Sequence, residues 1–587
     1  MLNKLYIFIA LFLLCPFAVA QTTQPSGPLP PGHSHDDGHD HSHHHSHHHD
    51  LMQPAAPIED GFADRVNLSA IQRISVQHNQ TLKTFDTYAR DVLFVITGKT
   101  KFEGRSAAYA ILDMSLRPEL YSNRNIIYLR NKPFREEFQQ LSFLEQAQRD
   151  RIQQEGTISL TFWLDERVQG AMQKVGSASM AKADAMRTIN FQAGTLAEVL
   201  NYPNGSSTLG SIAIIAPTDA ASANAKPWKT LPTAAQELVS TTQPSDATYL
   251  SSINSSAGAM ISVSEAWRAR DAGATEKAFD ALSLAVLSVN PSLYPSDAKR
   301  GFELFYNRMF RLTLPGAILY FVGFVLFLLA WKTNLNWFYR AALGFTLAGL
   351  VVHTLGIGIR WWLVSKSVGN WFESIPIKNQ FESVLMSTFF GVIVALFLER
   401  WKRVGIFGAA AAFVGWLSLI AIFAAPYVAG IDIGGQIKQN AGILMTYWLY
   451  IHVTLVTASY ALIGMTFIMG VWYVVQYLYN RETGLLKILD DCNLVMLQLA
   501  FWILGIGIIT GALWADVSWG RPWGWDPKET FSLITWMVYL VIIHVRHITA
   551  GHRRGIITGV LSVIAFFVML FNWIGVNFFL VGLHSYA

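Results

Sequence analysis

Residues 312–331 read LTLPGAILYFVGFVLFLLAW, a run of twenty residues without a charged side chain. About 20 predominantly apolar residues are enough for an α-helix to cross the hydrocarbon core of a bilayer. This run is the first of eight predominantly apolar stretches, so we predict a polytopic α-helical membrane protein with about eight C-terminal transmembrane helices. The predicted spans are 312–331, 338–362, 383–398, 404–425, 443–475, 493–513, 530–547 and 556–576.

The composition divides the chain into an apolar and a polar part. Of its 587 residues 52% are hydrophobic and 14% are charged, whereas soluble domains carry about 25% charged residues. The apolar excess lies in the first twenty residues and after about residue 312. We therefore predict a transmembrane domain over 311–587, preceded by an exported soluble domain of mixed α/β structure over 58–310.

Charge and cysteine content exclude several classes of protein. The net charge of +4 is too small and too scattered to indicate a nucleic-acid partner. The two cysteines, Cys15 and Cys492, provide neither a disulfide framework nor a Cys-based metal site for the soluble domain. The sequence contains no C-x-x-C-H, so the chain is not itself a c-type cytochrome.

The first 57 residues have two parts. Residues 1–20 are typical of a secretory signal peptide, with Lys4 before an apolar stretch and an Ala-Val-Ala site ending at Ala20, although an uncleaved anchor is the alternative. Residues 21–57 form a Pro-, Gly-, Ser- and His-rich linker, which we predict to be disordered. Ten of the seventeen histidines lie between His33 and His49. They indicate either weak binding of zinc, copper or haem, or a solvated spacer.

The soluble domain shows elements but no catalytic motif. We predict a helix over 90–99 that ends at a glycine C-cap, a strand over 157–164 and a helix over 264–289. P-loop, dinucleotide, G-x-S-x-G and H-E-x-x-H patterns are absent from its sequence. Its function therefore stays open.

Basic residues orient the spans. An exported domain makes the first span run from outside to inside, and the others alternate. Eight basic residues near the span ends then fall on the cytoplasmic side, in agreement with the positive-inside rule: Lys332, Arg400, Lys402, Arg403, Arg481, Lys487, Arg553 and Arg554. The segments 363–382, 514–529 and 577–587 are consequently predicted to lie outside.

The loop predicted at 514–530 carries an unusual density of tryptophan. Its indole groups are Trp514, Trp519, Trp523 and Trp525. Flat aromatic faces suit stacking on a large planar ligand, and Arg521 and Lys528 could meet carboxylates such as haem propionates. An interfacial aromatic belt is the alternative, but the polar cluster that begins at Asp526 argues against it.

Four of the histidines in or beside the spans are candidate ligands. His452 and His584 are predicted at the depth of the tryptophan loop, and two imidazoles there would suit a bis-His haem. His544 lies roughly 20 Å deeper at 1.5 Å per residue; it could ligate haem within the membrane or belong to a cytoplasmic helix cap. His353 lies inside the second span and could equally be a packing residue.

The residues 519–530, WGRPWGWDPKET, resemble the tryptophan-rich signature of the WWD haem-handling family, and within it the CcsA-type cytochrome c synthase of System II. Further matching residues are Arg360, Trp361, Pro376, Asn379, Glu382, Ser383, His452, Tyr460 and the ending 575–586. The resemblance covers most of 312–587. One departure is that Arg521 and Pro522 stand where the family usually has a third aromatic residue.

The resemblance implies a set of ligands and partners. His452 and His584 would be axial ligands of an external haem b, and His544 one iron ligand of a transmembrane haem. The external haem would be cradled by Trp519, Arg521, Trp523, Trp525, Asp526 and Lys528. The second transmembrane ligand would come from a separate ResB-like membrane partner, because this sequence shows no ResB-like block; His353 is a possible substitute.

The expected function is cytochrome c biogenesis in a bacterial inner membrane. The chain would attach haem to the C-x-x-C-H of apocytochrome c, as a holocytochrome c synthase-type lyase that needs no catalytic nucleophile. A thioredoxin-like protein would reduce the substrate thiols, and membrane lipid would surround the spans. The alternatives are a haem exporter without attachment activity and a metal-scavenging protein that depends on the His-rich linker.

Overall fold

A computed structural model describes residues 61–79, 81–177, 179–203, 209–217, 227–240, 247–368, 375–377, 379–428, 435, 446–479, 483–576 and 580. The predictions for 1–20, for the linker 21–57 and for His584 lie outside these residues. The chain divides into two compact units between Gly301 and Phe302.

The N-terminal unit is mainly helical and contains four small antiparallel sheets of two strands each. Its strands are β1 Ser75–His78, β2 Thr81–Thr84, β3 Lys101–Phe102, β4 Arg105–Ser106, β5 Ile127–Tyr128, β6 Thr157–Ile158, β7 Ala213–Ile215 and β8 Lys229–Thr230. The pairs are β1–β2, β3–β4, β5–β6 and β7–β8. The prediction of a mixed α/β composition is confirmed, with helices dominant.

Thirteen helices precede the apolar spans in the described part of the chain. They are α1 Phe62–Arg65, α2 Ser69–Gln72, α3 Phe85–Thr97, α4 Ala107–Leu116, α5 Lys132–Glu137, α6 Gln146–Glu155, α7 Leu160–Leu164, α8 Glu166–Gly176, α9 Met180–Val199, α10 Leu231–Ser240, α11 Ala247–Arg268, α12 Ala272–Val289 and α13 Asp297–Arg308. The predicted end of α3 is confirmed: Gly98 caps it with φ 66°.

Two predicted elements of this unit need correction. The strand predicted over 157–164 ends at Ile158, because the Ser159 side chain accepts from the Phe162 N–H and starts α7. The helix predicted over 264–289 is two helices, because the Asp271 side chain caps α12 through the Ala274 N–H. In both places a short polar side chain begins a new helix where the apolar pattern continues.

A buried carboxylate joins α4 and α11. Asp113 is 1% exposed and accepts from Arg117 at 2.7 Å, from the Tyr121 hydroxyl at 2.5 Å and from Trp267 Nε1 at 2.7 Å. Burial alone would raise the pKa of Asp113, but these hydrogen bonds and the charge of Arg117 hold the pKa below its usual value. The ionised carboxylate therefore stabilises this core.

The C-terminal unit contains eight helices that are long and apolar enough to cross a membrane, among the residues described. They are α14 Thr313–Thr333, α15 Asn336–Val368, α16 Gln380–Lys402, α17 Ile406–Val428, α18 Tyr447–Tyr479, α19 Thr483–Trp519, α20 Pro527–Ile548 and α21 Gly551–Leu570, which continues as a π turn at Phe571–Gly575. The prediction of eight spans is confirmed.

These helices form two packed groups. Helices α14, α15, α16 and α17 pack together, as do α18, α19 and α21, and α16 joins the groups by packing on α18. Helix α20 packs on α19 and α21. Since successive spans run in opposite directions, the start of α18, the end of α19, the start of α20 and the end of α21 meet at one end of the bundle. We call it the His452 end.

Candidate functional site

His452 lies in the first turns of α18, and one of its ring nitrogens contacts the backbone of α19. Its Nδ1–H donates to the carbonyl oxygen of Gly507 at 2.7 Å. Because a carbonyl oxygen only accepts, this bond selects the tautomer in which Nε2 carries the lone pair. Metal-ligating imidazoles commonly donate their other N–H in this way. The tautomer and ring orientation of His452 therefore suit metal ligation through Nε2.

Two glycines four residues apart allow α18 and α19 to approach closely here. A Cβ on Gly507 would lie 2.9 Å from a methyl carbon of Val456, and a Cβ on Gly511 would lie 2.6 Å from Cε1 of His452. Small residues at this spacing are typical of closely packed membrane helices. The imidazole of His452 consequently occupies the space that a side chain at position 511 would need.

Trp514 and Trp519 form an aromatic surface beside His452. The planes of Trp514 and His452 are 7° apart, with 6.1 Å between ring centroids. Trp519 meets Trp514 edge-on, with centroids 4.7 Å apart. Both tryptophans belong to the last turns of α19, which corrects the predicted loop 514–530: the helix continues to Trp519, and the connection to α20 is residues 520–526.

This connection carries two tryptophans, of which Trp525 is exposed and has a strained backbone. Trp523 and Trp525 meet edge-on at 5.8 Å. Trp525 is 71% exposed and has φ 56°, a left-handed conformation that is rare for a bulky residue. Strain of this kind concentrates at binding sites. The left-handed backbone at Trp525 thus keeps its indole exposed at the His452 end, although this conformation is unfavourable for a tryptophan.

Asp526 and Glu529 start α20. The Asp526 carboxylate is buried and accepts from the Lys528 backbone N–H at 3.1 Å. The Glu529 carboxylate accepts from the N–H groups of Gly524 at 2.8 Å and Asp526 at 3.2 Å. This reciprocal capping box fixes the end of the connection. Asp526, predicted to bind haem directly, therefore shapes the loop that carries the tryptophans.

Lys528 contacts the backbone at the end of α21. Its Nζ donates to the carbonyl oxygens of Asn572 at 2.6 Å and Trp573 at 3.0 Å. Both carbonyls belong to the π turn that ends α21, and such turns are frequent at functional sites. Lys528 thus joins α20 to α21. The sequence predicted only a contact between Lys528 and haem propionates, and it did not predict this link between helices.

A buried polar network lies beside Lys528. Asn572 is fully buried and donates to the Tyr460 hydroxyl at 3.0 Å and to Ser532 Oγ at 3.2 Å. The ring of Tyr460 lies 5.1 Å from that of Trp573. This network joins α18, α20 and α21 at the His452 end. We did not predict Asn572 or Ser532 as site residues, although an asparagine within an apolar span is a recognisable signal.

Arg521 is the cation of the connection that remains exposed. The Arg521 guanidinium packs against Gly524. A Cβ added to Gly524 would lie only 2.6 Å from the Cζ atom of Arg521. Among the described residues no carboxylate lies within salt-bridge distance of it. Its charge is therefore available at the surface that the tryptophans form.

The other two candidate histidines among the described residues occupy different parts of the bundle. His544 is exposed on α20, and its Nδ1–H donates to the Leu540 carbonyl at 2.8 Å. The neighbouring Arg546 is buried and paired with Asp490, and Arg546 and His547 lie in the last turn of α20, so the alternative of a basic helix end stays open beside haem ligation. His353 is buried between Tyr320 and Phe389.

His353 and His544 are not brought together. Helix α15 packs on α14, α16 and α17, whereas α20 packs on α19 and α21 in the described part of the chain. The contacts of His353 are those of a core histidine in the first group of helices, and its role as a substitute for the second transmembrane ligand stays a prediction. Among the described residues, no three His, Cys, Asp or Glu side chains converge to hold a metal ion.

Comparison with known proteins identifies the class. Residues 377–584 match the model of the cytochrome c assembly protein family. This segment lies within the apolar unit and includes His452, the tryptophan connection, His544 and His584. The chain is therefore a multi-pass membrane protein of cytochrome c assembly.

Individual relatives specify the family. The chain is 34% identical to the cytochrome c biogenesis protein CcsA of Prochlorococcus marinus strain NATL2A over 265 residues, 38% of this chain and 81% of that protein. It is 28% identical to CcsA of Guillardia theta over 317 residues, 49% of this chain and 96% of that protein. The chain belongs to the CcsA family of cytochrome c biogenesis proteins.

A longer relative is matched only in part. Protein NrfI of Wolinella succinogenes is 31% identical over 316 residues, 50% of this chain, but the match spans only 32% of that protein's length.

Proposed function

We propose that the His452 end binds haem b at the outer face of a bacterial cytoplasmic membrane and presents it for covalent attachment to apocytochrome c. The observation that carries the proposal is the restraint on His452: Nδ1–H donates to Gly507, and the ring lies parallel to Trp514. This arrangement directs one lone pair toward iron beside an aromatic wall. His584 is the proposed second axial ligand.

The aromatic and charged residues have separate roles in this proposal. Trp519, Trp523 and Trp525 provide faces and edges for the macrocycle. Arg521 is placed to meet a propionate, because it is exposed and forms no salt bridge among the described residues. Asp526 and Lys528 act on the site indirectly. Asp526 caps the start of α20, and Lys528 joins that helix to the end of α21.

The proposed reaction needs no side-chain nucleophile from this chain. Each cysteine thiol of the substrate adds across a haem vinyl group: sulfur bonds to one carbon, the thiol proton goes to the other, and nothing leaves. The protein contributes proximity and orientation. When the histidine of the C-x-x-C-H takes an iron position, one protein imidazole is displaced, which gives a release step.

His544 supports a second, transmembrane haem site shared with a partner. Ionisable side chains facing lipid are costly, and His544 is exposed on α20. A ResB-like membrane protein that covers this face would supply the other ligand. A thioredoxin-like protein is the proposed source of the reduced substrate thiols.

The test combines spectra with attachment. His452→Gly should lose the bis-His absorption spectrum and covalent haem on co-expressed apocytochrome, and added imidazole should restore part of both. His547→Ala is the matched control, because His547 is an exposed histidine of the same unit outside the proposed sites. Wild-type attachment in His452→Gly would refute the proposal. Haem binding without any covalent attachment by the wild type would favour an exporter.

A further inference from the structure

A pocket at the opposite end of the bundle has chemistry unrelated to the proposed haem sites. It has a volume of about 500 Å³ and is lined by Phe397, Arg400, Trp401 and Arg403 at the end of α16. We call it the α16 basic pocket. Residues three and four apart share one helix face, so Phe397 lies one turn deeper in the span than Arg400 and Trp401.

The cations of this pocket have no acidic partner in the described part of the chain. Arg400, Lys402 and Arg403 form none of the salt bridges there. By contrast, Arg546 and Arg554 at the same end are both paired with Asp490. The basic side chains at the end of α16 thus differ from Arg546 and Arg554, whose ion pairs with Asp490 stabilise the bundle.

The last turns of α16 contain one acidic side chain, Glu399, and its carboxylate is hydrogen-bonded to other parts of the bundle. Glu399 is fully buried and accepts from the Tyr339 hydroxyl at 2.7 Å, from the Gly405 N–H at 2.7 Å and from the Gly408 N–H at 3.1 Å. Its carboxylate therefore joins α15, α16 and the start of α17. The positive charge of the pocket remains for an anion from outside the protein.

The apolar side chains of the pocket identify the source of that anion. Phe397 is 69% and Trp401 68% exposed, and Lys402 Nζ lies 4.6 Å from the Trp401 ring centroid. Tryptophan and basic residues at the end of a span lie at the headgroup level. An exposed phenylalanine one turn deeper would face acyl chains. A free phosphate ion would use the arginines but not Phe397.

We infer that the α16 basic pocket binds the phosphodiester headgroup of an anionic phospholipid. Arg400 and Arg403 would bind the phosphate oxygens, since guanidinium groups match phosphate geometry. Trp401 would lie at the level of the glycerol backbone, and Phe397 would contact an acyl chain. Basic pockets on the cytoplasmic side of transmembrane helices bind anionic lipid headgroups in other membrane proteins.

The experiment measures lipid retained by the full-length protein. Native mass spectrometry after reconstitution in mixed phosphatidylglycerol and phosphatidylcholine should show retained phosphatidylglycerol on the wild type. Each basic residue near a membrane surface contributes about fivefold in affinity, so R400Q/R403Q should retain phosphatidylglycerol roughly 25-fold less tightly. K332Q/K487Q removes the same charge from exposed span-end positions outside the pocket, so it should retain phosphatidylglycerol more tightly than R400Q/R403Q, because Lys332 and Lys487 do not share one pocket.

Two results would overturn the inference. The first is equal retention of phosphatidylglycerol by R400Q/R403Q and wild type, with matched melting temperatures showing that both are folded. The second is displacement of the bound lipid by inorganic phosphate at comparable concentration, which would indicate a phosphate site rather than a lipid site. F397A further distinguishes a lipid headgroup from a free phosphate ion, because it should weaken lipid retention and leave phosphate binding unchanged.

Discussion

Replacing Gly511 by alanine tests whether the packing of α19 orients His452. The new Cβ would lie 2.6 Å from Cε1, 2.7 Å from Nδ1 and 3.3 Å from Nε2 of the imidazole. Carbon–carbon contacts are optimal from about 3.5 Å, so the ring must move by about 1 Å. Because Nδ1 is the atom that donates to Gly507 at 2.7 Å, that hydrogen bond is lost or strongly bent.

The consequence should be larger for haem than for the fold. Overpacking costs about 1–3 kcal/mol of stability, whereas disturbing the hydrogen-bond partner of a ligating histidine costs about 10–100-fold in metal affinity. We expect G511A to remain folded, to bind haem about 10–100-fold more weakly and to show an altered absorption spectrum.

The assay compares haem titrations and reduced spectra of wild type, G511A and G344A. Gly344 is a helical glycine of the same unit whose added Cβ would meet nothing within 4 Å, so G344A should match wild type. If G511A binds haem with wild-type affinity and spectrum, the contact with α19 does not set the orientation of His452. If G511A is unfolded by its melting curve, H452G with imidazole rescue provides the independent measurement.

Three further predictions concern other residues. K528M leaves the Asn572 and Trp573 carbonyls without their donor and should cost about 1–3 kcal/mol; an equal fall in melting temperature with and without haem would exclude a main role in propionate binding. W525N removes an exposed indole from a left-handed position that asparagine tolerates; it should raise the melting temperature and weaken haem binding, and unchanged haem affinity would contradict the role of Trp525. The folded-state pKa of Asp113 lies below its unfolded value, so its stabilisation is present above about pH 4 and lost as pH falls through the folded pKa; D113N should lower stability at pH 7 and flatten the acid unfolding profile, which urea titrations across pH would show.

The architecture of the membrane unit follows largely from the sequence. An uncharged run of about 20 residues has few alternatives to a spanning helix, because every backbone polar group must be satisfied within it. All eight predicted spans are helices. The family also follows from sequence, because the motif around Trp523 is specific and local. Helix ends are less determined: α19 continues to Trp519, since tryptophan neither favours nor stops a helix strongly.

Only the tertiary structure decided what the site residues contact. Sequence identified His452, but the tautomer depends on Gly507, which is distant in the chain and lies on a neighbouring helix. Sequence placed Asp526 and Lys528 in the predicted haem cradle, but it did not show that Asp526 caps α20 or that Lys528 donates to the π turn. It could not separate His353 from His544, because apolar periodicity does not show which helices pack together. A local stretch of sequence thus shows which types of residue the site contains. Their partners and orientations depend on contacts between helices that are distant in sequence.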